Sequence, residues 1–189
     1  MENNWINGGP FLEVSFVLET TDNSCETIMG LINSFNSLPI SIEVQKNDLQ
    51  TKLLEFEKGY NYDDNRTIHN LNLNGYIYIN KKRKVLIEIT RISTALVLVD
   101  FIFFGSQFDV EEWNQVGIQK SEYILFYQLL DELFKIYSFK IGCVEIEDNV
   151  LSLFDVFVEY PDEQYNIDNL DFNKVKNNHK PLYVKLNEN

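Results

Sequence analysis

FLEVSFVLETTDNSCETIMGLINSF, residues 11–35, changes its hydrophobic period halfway along. Leu12, Val14, Phe16 and Leu18 alternate with Glu13, Ser15 and Glu19, a period of two that predicts a half-buried strand. Asp22, Asn23 and Ser24 offer helix caps, and Cys25, Ile28, Met29, Ile32 and Phe35 then recur at helical spacing. Pro39 opens a second strand that runs through Val44. The same succession returns later. The run 96–104 is nearly continuous apolar sequence, as in a central strand covered on both faces. Tyr123, Phe126, Tyr127, Leu130, Leu133, Phe134 and Tyr137 then share one helical face, and 139–147 reads as a strand. Two strand–helix–strand units predict an α+β fold: a single mixed or mostly antiparallel sheet with two main helices packed on one face.

The remaining segments are read with less definition. Residues 47–59 fit a helix stopped by Lys58-Gly59, or a strand from Lys52 to Phe56. Residues 60–74 are polar and Asn-rich, and read as a surface loop. Residues 75–80 and 85–91 alternate and form a hairpin by pattern, with the bases KKRK (81–84) at its tip. Residues 151–160 read as a strand, the sequence beyond Pro161 as a polar tail, and 182–186 as a last strand. A length of 189 residues and 44% hydrophobic composition fit one domain over residues 1–189.

Charge narrows the function. The formal net charge is −13. Residues 101–189 carry net −9 of it and residues 1–100 net −4. That balance repels nucleic acid and anionic lipid, since phosphate binding needs basic groups that release counterions. It suits a fast, salt-sensitive encounter with a basic protein. The longest apolar run, 95–105, is too short to span a bilayer and contains Asp100. The first residues lack the basic and apolar regions of a signal peptide, and Cys25 and Cys143 read as reduced core residues. A cytoplasmic chain is expected, and its wealth of Asn, Ile and Lys suggests an AT-rich bacterial genome.

Catalytic and metal motifs are missing. His69 and His179 have no ligand at metal spacing, and the acidic stretch lacks the spacing and turn glycine of a calcium loop. No nucleophile elbow or phosphate-cradling glycine pattern occurs, so neither metal nor cofactor is expected. Residues 114–119 (NQVGIQ) keep only the central glycine of an acetyltransferase pyrophosphate loop. Asp100, inside its apolar run, and Glu88, in the neighbouring run, are the carboxylates an acid–base enzyme would use. Ile77, Val85, Ile87 and Phe103 are the apolar residues from which a self-associating structural protein would build a patch.

Acid and aromatic residues gather in the C-terminal half. Residues 141–173 hold nine carboxylates and no Lys, Arg or His. Glu145, Glu147, Asp155 and Glu159 alternate with apolar residues as a solvated sheet face would. Tyr160, Asp162, Glu163 and Tyr165 leave that pattern and have the make-up of interface anchors. Trp113 beside Glu111 and Glu112 is a second patch of the same kind. With residues 154–165, the acidic loop Tyr160-Pro161-Asp162-Glu163 and no catalytic motif, the chain resembles the small acidic α+β immunity proteins of bacterial polymorphic toxins. The resemblance implies a stoichiometric inhibitor that covers an essential surface of one toxin, often a basic nuclease. It assigns no residue a role.

Overall fold

The change of period becomes strand β1 (Leu12–Glu19) followed by helix α1 (Ser24–Ser34). The computed structural model describes residues 11–20, 24–35, 38, 42–63, 66–79, 81–103, 123–137, 139–153 and 183–186. Within them follow β2 (Ile42–Val44), α2 (Leu49–Lys58), β3 (Tyr60–Asp63), β4 (Arg66–Ile68), β5 (Asn70–Ile79), β6 (Lys81–Arg91) and β7 (Leu96–Phe103). Helix α3 (Tyr123–Ile136), β8 (Phe139–Ile146), a 3-10 turn (Val150–Leu153) and β9 (Tyr183–Leu186) complete the order. The class is α+β. Seven strands form one antiparallel sheet in the order β2-β5-β6-β7-β1-β8-β9, and β3 and β4 form a separate ribbon.

Antiparallel alternation makes strands two or four places apart run the same way. β1 and β2 are therefore co-directional, as are β7 and β8, so α1 and α3 are crossover connections. The first passes over three strands and the second over one. Residues 47–59 resolve in favour of a helix, α2, so three helices rather than two cover the sheet. Gly59, at φ 67°, ends α2, and its N–H donates to the Glu55 carbonyl at 2.8 Å.

One core joins Phe16, Val99, Ile87 and Leu73 of the sheet to Ile28 and Ile32 of α1, Phe56 of α2, and Leu130 and Phe134 of α3. Register explains the shared face: Phe16 lies opposite Val99, Ile89 opposite Val99, and Leu71 opposite Ile89. Gly142 of β8 leaves no room for a side chain beneath α3. A methyl group there would sit 2.7 Å from Phe134, 2.9 Å from Phe16 and 3.0 Å from Leu130. Gly142→Ala is expected to destabilise the fold by about 1–3 kcal/mol through overpacking, measured as a lower urea midpoint at unchanged slope.

Several sequence expectations are revised. β1 is buried on both faces up to Leu18, not on one. Residues 60–74 are not a loop; they contain β3, β4 and half of β5, where Leu71 and Leu73 alternate inward between Asn70, Asn72 and Asn74. Residues 81–84 belong to β6, with Lys82 opposite Tyr78 and Lys84 opposite Tyr76. The Lys82 ammonium lies 4.4 Å from the Tyr76 ring centre. Lys82 also pairs with Glu43 at 2.6 Å. Residues 151–153, the start of the strand expected over 151–160, lie instead in a 3-10 turn (Val150–Leu153) whose Val150 N–H donates to Ser15 Oγ at 2.8 Å; residues 154–160 lie outside the described residues. Ile77, Val85, Ile87 and Phe103 are all core residues, so they form no surface patch.

Candidate functional site

The sheet face away from the helices is not a solvent face. Val17, Leu98, Ile102, Ile141 and Cys143 are buried there, outside the main core. Carboxylates are set among them on four adjacent strands. Glu88 of β6 lies opposite Asp100 of β7, and Glu13 of β1 lies opposite Glu145 of β8. Glu13 stands one diagonal step from Asp100, because Ser15 is the direct partner of Asp100. Asp100 is 3% exposed, Glu145 5% and Glu13 6%, whereas Glu88 is half-buried.

Burial penalises the charged form of each acid, and the acids penalise one another. Burial first, then Asp148, Glu88 and Glu145, pushes Glu13 from 4.5 up to about 8. Burial, then Glu13 and Glu88, pushes Asp100 well above the usual carboxylate range. Every charged neighbour acting on these two among the described residues is an acid. Asp100 Oδ1 is buried and has no hydrogen-bond partner. Glu88 accepts a hydrogen bond from the Asn70 amide. Beside the carboxylates on the same face, Ser15 and Cys143 share a hydroxyl–thiol contact of 3.2 Å. Burial and the nearby Glu145 hold that thiol well above its ordinary range, although the Ser15 hydrogen bond works in the other direction. A protonated, fully covered thiol is a poor nucleophile.

The sequence expectations meet this geometry unevenly. Asp100 and Glu88 are brought together as a cross-strand pair. Arg91 of β6 donates to Ser24 Oγ and lies over the Phe56 ring. Glu145, expected on a solvated face, is buried, and Glu147 is exposed as expected, while Asp155 and Glu159 lie outside the described residues. Glu13 was not singled out in the sequence. The available signal was the assignment of residues 11–19 and 96–104 to neighbouring central strands, which leaves the polar register of β1 no open face. Tyr160, Asp162, Glu163, Tyr165, Trp113, Glu111 and Glu112 lie outside the described residues. Among the described residues no group of three His, Cys, Asp or Glu side chains converges closely enough to hold a metal ion. No described helix is long and apolar enough to cross a membrane. Comparison with protein-family models, curated proteins and solved structures yields no match.

Proposed function

We propose that the chain is an acidic protein-binding module, a stoichiometric immunity or inhibitor protein that neutralises a cognate bacterial toxin of basic surface. The observation that carries the reading is uncompensated negative charge. The formal net charge is −13, and residues 141–173 hold nine carboxylates and no base. Such a molecule gains most from a partner that supplies cations. Carboxylates then stand where the phosphates of a nuclease substrate would sit, and aromatic side chains provide contact area at low entropic cost.

Tyr160, Asp162, Glu163 and Tyr165 form the centre of the contact in this reading, with Trp113, Glu111 and Glu112 as a second patch. An acid–base enzyme built on Asp100 and Glu88 is less well supported, because substrate would have to reach a carboxyl that is 3% exposed.

The test is capture of partners from native lysate at low and high salt, followed by binding kinetics. One basic protein, retained stoichiometrically and weakened by salt, is the expected result. Reversing Asp162 and Glu163 to Lys should slow association about tenfold or more and flatten its salt dependence. Tyr165→Ala should act mainly on dissociation. Wild-type affinity in the double charge reversal would refute the assignment of this loop.

A further inference from the structure

Beyond β8 the chain doubles back along β1. The Glu147 N–H donates to the Phe11 carbonyl at 2.9 Å, which continues the β1–β8 ladder by one step, and the Val150 N–H then donates to Ser15 Oγ at 2.8 Å. These two points lie on either side of Glu13, so the segment between them passes the Glu13 carboxyl. Asp148 falls in that passage, and of the acids that act on Glu13 it has the largest effect. The reversal is made at Glu147, whose φ of 51° lies in the left-handed region that a β-carbon disfavours. Past it the segment is locally compact. The Asn149 N–H donates to Asp148 Oδ1 at 2.9 Å and the Leu151 N–H to Asn149 Oδ1 at 3.0 Å, and the Val150 and Leu151 side chains are buried.

We propose that residues 148–153 are a pH-operated latch hinged at Glu147, closed on β1 while the Glu13 carboxyl is protonated and released when it ionises. In sequence the segment runs directly into residues 154–165, to which the proposed function assigns a partner contact, but the latch does not rest on that reading. Carboxylates face Glu13 from each described element around it: Glu88 of β6, Asp100 of β7, Glu145 of β8 and Asp148 of the segment. A neutral Glu13 tolerates both its cover and these neighbours. An ionised Glu13 at 6% exposure is a buried charge set against Asp148, and lifting the segment relieves the burial and that repulsion together. Glu88, Asp100 and Glu145 belong to strands paired on both sides, whereas residues 148–153 are tied to β1 by the single Ser15 hydrogen bond among those described, so the segment is what yields.

With the latch closed Glu13 titrates at about 8, against 4.5 for an ordinary glutamate. Below the lower value both states hold the proton, and above the higher both have released it. Between them the open state loses a proton that the closed state keeps, so each pH unit favours opening by up to about tenfold. The Cys143 thiol, held well above its ordinary range by burial and Glu145, stays protonated across this window.

Hydrogen exchange of the Val150 amide in the full chain, normalised to the rates of an unstructured peptide, tests the latch over roughly pH 6 to 9. The expected result is protection at pH 6 that falls about tenfold or more by pH 8 and then levels off. Urea below the unfolding transition separates local release from global unfolding. Exchange at Val150 should be nearly insensitive to it, whereas the amide of Val99, in the middle of β7, follows the full urea slope. Glu13→Gln keeps the shape of the protonated acid and should hold Val150 protected throughout the range. Ser15→Ala removes the anchor, leaves the acids in place and should strip Val150 of protection already at pH 6. No protection in the wild type at pH 6, protection independent of pH, a pH response that survives Glu13→Gln, equal urea slopes at Val150 and Val99, or full protection in Ser15→Ala would each overturn the inference. The experiment contains no partner, so a chain whose Val150 behaves as expected while no basic protein is captured sinks the proposed function alone.

Discussion

Glu13→Gln is expected to raise the unfolding free energy at pH 9 and to leave it nearly unchanged at pH 4. In the folded chain the Glu13 carboxyl titrates at about 8, against 4.5 for an unperturbed glutamate. Below the lower value both folded and unfolded chains hold the proton, and the group has no effect on stability. Between the two values the unfolded chain releases a proton that the folded chain retains, so stability falls as pH rises. The loss amounts to about 1.4 kcal/mol per pH unit. It is complete above the folded value, where the accumulated destabilisation has a ceiling of about 5 kcal/mol. Glutamine keeps the shape of the protonated acid and removes the titration. Urea unfolding at pH 4, 7 and 9 checks this: the wild type should weaken steadily over the series, and Glu13→Gln should show a shallower slope. Asp100→Asn should act in the same direction, since burial and the same acidic neighbours raise its carboxyl. An unchanged slope in both variants would remove the mutual repulsion of the back-face acids as a factor in stability.

How far the sequence discloses this arrangement depends on the type of interaction. The α+β class, β1, α1, β7, α3 and β8 were legible because a hydrophobic period is a local property. Residues 70–74 were obscured by asparagine, which is uncommon in strands, even though Leu71 and Leu73 kept the period of two. Residues 81–84 have the look of a turn in sequence because four adjacent bases are usually solvated. In the strand, Lys82 stays exposed and its charge is met by Glu43 and the Tyr76 ring. The 3-10 turn at Val150 depends on Ser15, 135 residues away, and no local window contains it. The candidate site suffered most. Asp100 betrayed itself by standing in an apolar run, but Glu13 and Glu145 lie in ordinary alternating strands. Only the order β6-β7-β1-β8 makes neighbours of the four acids, and strand order is not written in any one segment.

The main core should be most sensitive at Phe16. Its ring stacks on Phe139 at 4.4 Å, meets Phe101 edge-on at 6.0 Å and contacts Phe134 of α3 at 5.8 Å. One side chain thus joins three adjacent strands to the helix that crosses them. Phe16→Ala should cost about 3–5 kcal/mol, the range for a phenylalanine removed from a packed interior. For a chain of this length that corresponds to a fall in Tm of roughly 10–15 °C. The void would lie between β8 and α3, so near-ultraviolet circular dichroism from Tyr137, which packs on Phe139 at 5.3 Å, should weaken in the same variant. A double-mutant cycle with Gly142 then tests the geometry. A methyl group at 142 would meet both Phe16 and Phe134, and shortening Phe16 to Leu relieves only the first contact. Gly142→Ala should therefore cost less in the Phe16→Leu background than in the wild type, with a coupling of about 0.5–1 kcal/mol. It should not become neutral, because the 2.7 Å approach of Phe134 remains. Strict additivity would mean that Phe16 does not limit the space at 142, and the close packing of α3 on β8 would then rest on Phe134 and Leu130 alone.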